Sequence, residues 1–175
     1  MRLRITGGEL RGRPLQAGSG VRPTAGRTRE AVFSMLGPLE GATVLDLFCG
    51  SGSLGIEALS RGAGSAVLVD RDVRACEANV AALELGDRTR VVRGELPRWL
   101  ATEGQCQPAF DVVCCDPPYR IARRVAAALD EHLPPLLHAR SRVVFEGPAG
   151  QGGRPALPLL RERRYGDTVV TVHGA

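Results

Sequence analysis

Residues Asp116-Pro117-Pro118-Tyr119 combine groups that could act on an amine. The two prolines fix an extended backbone and remove two N–H donors, so the segment presents acceptors: the Asp116 carboxylate and the carbonyls near Pro117. Tyr119 adds an aromatic face for stacking. Acceptors that bind the N–H groups of an exocyclic amine draw its nitrogen lone pair out of conjugation. The segment therefore predicts chemistry on an amino group of a base; a plain turn with a buried tyrosine is the alternative.

Three glycines, Gly50, Gly52 and Gly55, follow an apolar run and match the spacing G-x-G-x-x-G. Asp70 ends the next apolar run, where an acid can bind both ribose hydroxyls of an adenosine cofactor. By spacing alone, an enzyme that uses NAD or a flavin satisfies this pattern as well as any other adenosine-binding protein.

Two further acids bear on the choice of ligand. Asp46 lies in the apolar run before the glycines, where it would repel a pyrophosphate and suits a cationic ammonium group better. Glu95 follows a third apolar run and could accept a hydrogen bond from an adenine amine. Equally, Glu95 could be an acid at the start of the next helix.

Alternating strands and helices must position these residues. Apolar runs predict strands at 44–48, 66–69, 90–93, 110–115 and 142–145. Helical patterns follow at 53–61, 73–85 (with Asp72 as its cap), 97–100 and 121–132. This alternation predicts right-handed βαβ units and a parallel sheet with helices on both faces. The last residues, 157–160 and 163–172, predict an antiparallel pair of strands at one edge.

A basic arm precedes these elements. Residues 1–30 hold seven arginines against Glu9 and Glu30, whereas the rest of the chain is close to neutral. Alternating polarity at 2–6 and the Gly7-Gly8 turn predict a small hairpin, and Thr24 can cap a helix over about 25–36. Because guanidinium groups suit phosphates, the cluster favours a nucleic-acid partner over a merely solvated surface. No long linker follows the arm, so we expect it to pack on the main body.

The composition is that of a globular protein: 175 residues, 43% hydrophobic and 24% charged. Since no apolar run reaches the length of a membrane span and no signal-peptide pattern opens the sequence, a soluble, cytoplasmic protein without membrane contact is expected. Five cysteines without a C-x-x-C pair favour neither a disulfide framework nor a metal site. Cys114 and Cys115 lie in an apolar run and are expected to be free thiols in the core.

At these residues the sequence resembles a known family. Asp116-Pro117-Pro118-Tyr119 is similar to the D/N-P-P-Y/F motif of class I S-adenosylmethionine-dependent methyltransferases that act on exocyclic amines. Three further stretches resemble the RsmD family of small-subunit ribosomal RNA guanine-N2 methyltransferases: Arg4-Ile5-x-Gly7-Gly8-x-x-Arg11-Gly12-Arg13, Arg22-Pro23-Thr24-x-x-Arg27-x-Arg29-Glu30-x-x-Phe33 and Leu54-Gly55-x-Glu57-Ala58-Leu59-Ser60-Arg61-Gly62-Ala63. Two positions depart from the pattern: Cys49 replaces a common alanine, and Glu95 replaces the usual aspartate of methyltransferases.

The resemblance implies an α/β, Rossmann-like class I methyltransferase fold. Its mostly parallel seven-stranded sheet would carry helices on both faces and a C-terminal antiparallel hairpin, with a small basic N-terminal arm. The arm would span residues 1–40 and bind RNA, and the methyltransferase domain would span residues 41–175. The implied reaction is methyl transfer from S-adenosyl-L-methionine to N2 of a guanine in 16S rRNA, with S-adenosyl-L-homocysteine as product. The substrate would be an assembled or assembling small ribosomal subunit, and the enzyme would act as a monomer.

The resemblance also implies roles for residues. The catalytic residues would be Asp116, Pro117 and Tyr119. The cofactor would be bound by Asp46, Phe48, Gly50, Gly52, Asp70, Arg71, Glu95 and Leu96. RNA phosphates would be bound by Arg4, Arg11, Arg13, Arg22, Arg27 and Arg29. An exocyclic amine of another nucleic acid, such as adenine N6 in DNA, remains the alternative substrate, and an NAD-dependent enzyme or a non-catalytic RNA partner remains a more distant one.

Overall fold

The structure, a computed structural model, describes residues 3–18, 26–150 and 153–175, without the side chain of Arg27. The N-terminal part comprises β1 (Leu3–Arg4), β2 (Pro14–Leu15) and α1 (Gly26–Leu36). The remaining elements are β3 (Thr43–Leu47), α2 (Ser53–Ser60), β4 (Ser65–Asp70), α3 (Arg74–Ala82), β5 (Thr89–Arg93), α4 (Arg98–Ala101), β6 (Phe110–Cys115), α5 (Ala122–His132), β7 (Leu137–Pro148), β8 (Leu159–Tyr165) and β9 (Thr168–Gly174).

Seven of these strands form one sheet in the order β5-β4-β3-β6-β7-β9-β8. The pairs from β5 to β7 are parallel, whereas β9 pairs antiparallel with both β7 and β8. The predicted parallel sheet with an antiparallel C-terminal hairpin is therefore confirmed. The chain order of the strands reverses between β3 and β6, and ligands bind beyond the carboxyl ends of the strands at such a point.

Helices cover both faces of the sheet, as predicted. Helices α1, α2 and α3 pack on one face through apolar residues such as Phe33, Ile56 and Val80. Helices α4 and α5 pack on the other face through residues such as Trp99 and Leu129. The glycine loop after β3 is therefore held between the sheet and α2.

The clearest differences from the predicted bounds are in α3, in β7 and in the C-terminal pair. The two C-terminal strands are Leu159–Tyr165 and Thr168–Gly174 rather than 157–160 and 163–172. The helix predicted at 73–85 is shorter, because Glu84 adopts a left-handed φ of 57° that a helix does not allow. Its start lies at Arg74, whose N–H and guanidinium both donate to Asp72. The strand predicted at 142–145 is longer, because β7 continues along β9 to Pro148 and pairs with β6 as far back as Leu137.

The predicted hairpin of the arm is confirmed, since β1 and β2 pair antiparallel. It packs on the carboxyl end of α2. The N–H and hydroxyl of Thr6 donate to the Glu57 carboxylate at 2.8 and 2.7 Å, and Ser60 donates its hydroxyl to the Gly7 carbonyl at 2.6 Å. The predicted cap Thr24 lies outside the described residues.

Arg61 completes this contact. Its guanidinium donates to Glu57 at 2.9 Å and lies over the Phe33 ring, 5.0 Å from the ring centre. Helix α1, which carries Phe33, is thereby tied to the same end of α2 as the hairpin. As expected, the arm packs on the main body, and Leu3, Ile5 and Leu15 share one apolar core with it.

Candidate active site

The predicted catalytic segment and the glycine loop leave neighbouring parallel strands at the same level. Leu47 at the end of β3 is paired with Cys115 at the end of β6. Asp116 therefore begins the next segment beside the start of the glycine loop. On the other side of β6, Cys115 is paired with Phe145, so Glu146 of β7 follows at the level of Asp116.

The glycine loop is shaped by close packing. Gly52 precedes α2 with φ 77°, and a Cβ there would lie 2.8 Å from the Cys76 sulfur. A Cβ at Gly55 would lie 2.1 Å from Leu68, so this glycine lets α2 approach β4. Gly50, with φ 54°, has nothing within 4 Å of its Cβ position and leaves open space. The loop thus offers bare backbone with room for a ligand.

Asp70 ends β4 and holds the loop from the side. One carboxylate oxygen accepts the Gly50 N–H at 2.9 Å, and the other accepts the Asp72 N–H at 3.0 Å. A carboxylate has about four lone-pair directions, so each oxygen can accept one bond more. These bonds fix the carboxylate beside the loop, where it can receive two neighbouring hydroxyls. The loop and this acid fit an adenosine cofactor.

Asp46 lies under the loop and is 1% exposed. Its carboxylate accepts the Gly55 N–H at 2.9 Å. Burial raises its pKa from 3.8 to about 7; the bond from Gly55 opposes that rise, and the charges of Asp116 and Asp70 add to it. The three carboxylates thus lie close enough to interact, and a positively charged ligand between them would relieve their repulsion.

The catalytic segment forms a short turn between β6 and α5. Asp116 is half-buried, Pro117 is buried, and Tyr119 is 43% exposed. The Tyr119 hydroxyl contacts the Thr168 hydroxyl at the start of β9. The alternative of a turn with a buried tyrosine is therefore wrong, because the ring is available at the surface. Through Thr168, the C-terminal hairpin contacts the Tyr119 side chain.

The remaining predicted cofactor residues follow the carboxyl ends of β3, β4 and β5. Phe48 has φ 61° and packs against the apolar core on the face that carries α4 and α5. Arg71 and Glu95 are exposed, and Leu96 is buried. The Glu95 carbonyl accepts the Trp99 N–H at 2.9 Å, which fits its alternative place at the start of a helix. Glu95 is exposed, so its position at the start of the helix leaves its carboxylate available to a ligand.

Sequence reasoning missed Glu146 of β7. Burial, then the charge of Asp116, raises its pKa from 4.5 to about 8. An acid that follows an apolar run is the signal that identifies Asp70 and Asp116, and Glu146 follows the run 142–145 in the same way. Glu146 is thus a fourth acid at this edge of the sheet.

Cys114 and Cys115 are buried and free in the core, as expected, and Cys106 is exposed. Two further free thiols, Cys49 and Cys76, are buried under the glycine loop. The hydrogen bond to Cys76, then burial, raises the pKa of Cys49 well above its usual range. The residues that the structure describes contain no group of three or more His, Cys, Asp and Glu placed to hold a metal ion. No helix within the described ranges is long and apolar enough to cross a bilayer.

The predicted RNA-binding arginines are not equivalent. Arg4, Arg11 and Arg13 are exposed on the hairpin. Arg4 donates to the Gly12 carbonyl at 2.7 Å, and Arg13 reaches the Ala82 carbonyl at 3.4 Å. Arg22 and the side chain of Arg27 lie outside what the structure describes.

Arg29 does not fit its predicted role. It is 1% exposed, and its guanidinium donates to the Arg4 carbonyl. Burial lowers its pKa, against the charges of Glu57 and Glu30. Among the described residues, its Nε and Nη1 have no hydrogen-bond partner. Its guanidinium is therefore not available to RNA phosphates; it lies in the interior and ties α1 to β1.

Comparisons with known proteins agree with this architecture. Residues 3–174 match the model of the family described as conserved hypothetical protein 95. The chain is 40% identical over 124 residues to YlbH of Bacillus subtilis, a match that covers 67% of each chain. It is 41% identical over 124 residues to the ribosomal RNA small subunit methyltransferase D of Escherichia coli, covering 67% of this chain and 61% of that one.

A solved structure extends the likeness over the whole chain. The Escherichia coli protein yhhF superposes with a TM-score of 0.82 at 34% identity, covering 98% of this chain and 97% of that one. Family membership decides against the dinucleotide enzyme that the glycine spacing leaves open. The chain belongs to the conserved hypothetical protein 95 family, that of RsmD and YlbH, whose members are class I S-adenosylmethionine-dependent methyltransferases.

Proposed function

We propose that this protein transfers a methyl group from S-adenosylmethionine to the exocyclic N2 amine of a guanine in 16S rRNA of the small ribosomal subunit. One observation carries the proposal: the acceptor-rich segment Asp116–Tyr119 leaves β6 beside the glycine loop and Asp46. The relative named ribosomal RNA small subunit methyltransferase D supports the choice of RNA. Such a substrate would place the enzyme in the cytoplasm.

The cofactor would be held by the loop and its acids. Gly50 and Gly52 offer backbone, Asp70 would bind the ribose, and Asp46 would lie near the methionine end. Phe48, Arg71 and Leu96 would border the adenosine, and Glu95 would accept from the adenine amine. When bound, S-adenosylmethionine supplies an electrophilic methyl group on a cationic sulfur, and the acidic surroundings of Asp46 suit that charge.

The acceptor would be held by the turn after β6. The Asp116 carboxylate and the Pro117 carbonyl would accept the two N–H groups of the guanine amine, which leaves the lone pair free for an in-line displacement. Tyr119 would stack on the flipped base. Because these groups hold and polarise the amine through hydrogen bonds and form no covalent bond to it, the rate would come mainly from orientation and electrostatics.

The basic arm would hold RNA without reading its sequence. The exposed side chains of Arg4, Arg11 and Arg13 would bind phosphates, and Arg22 and Arg27 would extend that surface. Residues 1–40 would then act as the RNA-binding arm of a methyltransferase domain at 41–175. One chain carries both parts, so we propose that the enzyme works as a monomer on an assembled or assembling subunit.

The test is methyl transfer to defined substrates. The purified protein is incubated with labelled S-adenosylmethionine and, in parallel, with small subunits from cells that lack the protein, with naked 16S rRNA and with DNA. We expect label on one guanine of the subunit RNA, identified by nuclease mapping and mass spectrometry. Label on DNA adenine alone would overturn the choice of substrate.

The site is tested with a matched pair of variants. Asp116→Ala should abolish transfer, a loss of at least about 100-fold, because the amine loses its charged acceptor. Binding of S-adenosylhomocysteine should change little. Asp87→Ala removes an exposed carboxylate from the turn before β5 and should transfer normally. Undiminished turnover in Asp116→Ala would refute the assigned role.

A further inference from the structure

Asn79 of α3 links two parts of the molecule. It is 2% exposed. Its side-chain oxygen accepts the Gln16 N–H at 2.8 Å, and its Nδ2 donates to the Gln16 carbonyl at 3.0 Å and to the Ser51 carbonyl at 2.9 Å. Gln16 follows β2 of the arm, and Ser51 lies between the two loop glycines. One buried amide thus holds the arm and the glycine loop together.

The two segments also lie next to each other directly. A Cβ built on Gly18 would lie 3.9 Å from the Gly50 carbonyl carbon and from the Ser51 nitrogen, an ordinary van der Waals distance. On the same helix, Cys76 packs against Gly52, one turn before Asn79. The arm backbone at 16–18 therefore runs along the loop that is proposed to hold the cofactor.

The chemistry at position 79 is specific. Asparagine offers an acceptor and two donors on one planar group, and all three are used. An apolar side chain would leave the Gln16 N–H and two backbone carbonyls without this partner. The bond to the Ser51 carbonyl is buried, and its loss costs about 1–3 kcal/mol. The two bonds to the exposed Gln16 contribute less. A hydroxyl has a single donor, so a serine or threonine at this position could not donate to the Gln16 and Ser51 carbonyls together.

We propose that Asn79 is a positioning residue that couples the cofactor loop to the RNA-binding arm. A ligand that orders the loop fixes the Ser51 carbonyl, and through Asn79 it also fixes the arm backbone at Gln16. Coupling of this kind is reciprocal, so RNA that orders the arm would tighten cofactor binding. This inference rests on the proposed function for its RNA partner, but its first test needs no RNA.

The test uses the backbone amide of Gln16 as a reporter, because its N–H donates to the side-chain oxygen of Asn79. Hydrogen exchange of the ¹⁵N-labelled full chain is followed by NMR with and without saturating S-adenosylhomocysteine. We expect the ligand to slow exchange at Gln16 by about five-fold or more, within the usual range of coupling between two sites. The ligand should also slow exchange at the neighbouring amides of Ala17 and Gly18. In Asn79→Ala, the ligand should slow exchange at none of these three amides.

Two control variants separate coupling from stability. Gln16→Ala should keep the whole effect, because Gln16 contacts Asn79 only through its backbone. Ser141→Ala removes another buried polar side chain, at the opposite end of the sheet, where it donates to the Phe110 carbonyl at 2.7 Å. It should lower the melting temperature and keep the coupling.

The possible outcomes are distinct. Unchanged exchange at Gln16 in the wild-type chain with the ligand bound would overturn the inference without any variant. An unchanged effect in folded Asn79→Ala would do the same. If Asn79→Ala does not fold, Asn79→Asp keeps the acceptor and removes both donors, and the effect should fall at least about five-fold. If S-adenosylhomocysteine does not bind the wild type, the proposed function fails instead.

Discussion

Asp46 has its carboxylate buried in the middle of the sheet, so its ionisation depends on folding. Its pKa is raised in the folded chain, from 3.8 to about 7. The folded state therefore holds this proton more tightly than the unfolded state does, and the contribution of Asp46 to stability falls as the pH rises from about 4 to about 7. The ionised Asp46 carboxylate therefore lowers the stability of the folded chain above about pH 7. An acid at this destabilising position fits a role in ligand binding.

Asp46→Asn tests this directly. The variant stays neutral, so its melting temperature should exceed that of the wild type at pH 8, and the difference should shrink at pH 5. The pKa difference limits the gain at pH 8 to about 4 kcal/mol. Calorimetry should also show weaker binding of the cationic S-adenosylmethionine, and equal affinity in both proteins would contradict the role.

The loop glycines differ in what surrounds them, which gives a second prediction. Gly52→Ala must accept a left-handed φ and a contact of 2.8 Å with Cys76, so we expect a loss of about 2–4 kcal/mol in stability. Gly50→Ala meets only the φ penalty of about 1–2 kcal/mol.

For ligand affinity, we expect Gly50→Ala rather than Gly52→Ala to have the larger effect. The open space at Gly50 is where a cofactor would approach the backbone, so Gly50→Ala should weaken binding of S-adenosylhomocysteine more than it lowers stability. Urea unfolding and calorimetric titration of both variants provide the comparison. If Gly50→Ala bound the ligand normally, the cofactor would not approach the loop at that glycine.

At the scale of elements, the arm is docked by backbone contact, and two glycines allow it. A Cβ at Gly8 would lie 1.7 Å from the Ser60 carbonyl oxygen, and one at Gly7 would lie 2.4 Å from the Arg61 guanidinium. The Glu9 N–H donates to the same Ser60 carbonyl at 2.8 Å. The arm motif that the sequence shares with its family is thus largely a docking surface for α2.

Gly8→Ala should therefore detach the hairpin, and Gly12→Ala is its matched control. Both glycines have a positive φ, 79° and 84°, but Gly12 has nothing within 4 Å of its Cβ position. We expect Gly8→Ala to reduce methylation of small subunits at least about 10-fold and to make the Arg11–Gly12 peptide bond cleavable by trypsin, because the detached hairpin loses its fixed backbone. Gly12→Ala should lose only about 1–2 kcal/mol in stability. Equal behaviour of the two variants would contradict docking through Gly8.

The elements and the main acids could be predicted because each has a local signal. The positions of the strands follow from apolar runs, Asp70 ends one of them and Asp116 follows another. The bounds of β7 and β8 could not be predicted in this way, because they depend on pairing with strands distant in sequence. Asn79 has no such signal: a polar residue on a helix is usually solvated, and its partners Gln16 and Ser51 are distant in sequence. The position of Arg29 could not be predicted for the same reason, since arginine is rarely buried and its partner, the Arg4 carbonyl, shows no pattern in the sequence.

At the scale of the whole molecule, the basic arm extends along α2 and α3. The formal net charge is +4, and the basic excess belongs to the arm, whose hairpin contacts the carboxyl ends of α2 and α3. Residues 16–18 bring the arm to the glycine loop, at the opposite end of α2. The acids Asp46, Asp70, Asp116 and Glu146 lie on the active-site side of the sheet. RNA held by the hairpin arginines would therefore have to extend along α2, about 12 Å long, to place a base in an acidic cleft that itself repels phosphate.

The salt dependence of substrate binding tests this division of labour. Arg11→Glu combined with Arg13→Glu should weaken binding of small-subunit RNA, because two exposed cations of the arm are replaced by anions. The slope of log affinity against log salt concentration should become shallower by about 0.7–0.9 for each phosphate that the arm no longer neutralises. Affinity for S-adenosylhomocysteine should not change, since neither side chain reaches the loop. The matched control is Arg90→Glu combined with Arg140→Glu, which reverses two exposed arginines outside the arm and changes the net charge by the same amount. If this control alters the slope as much as the arm variant does, net charge rather than the arm determines RNA binding.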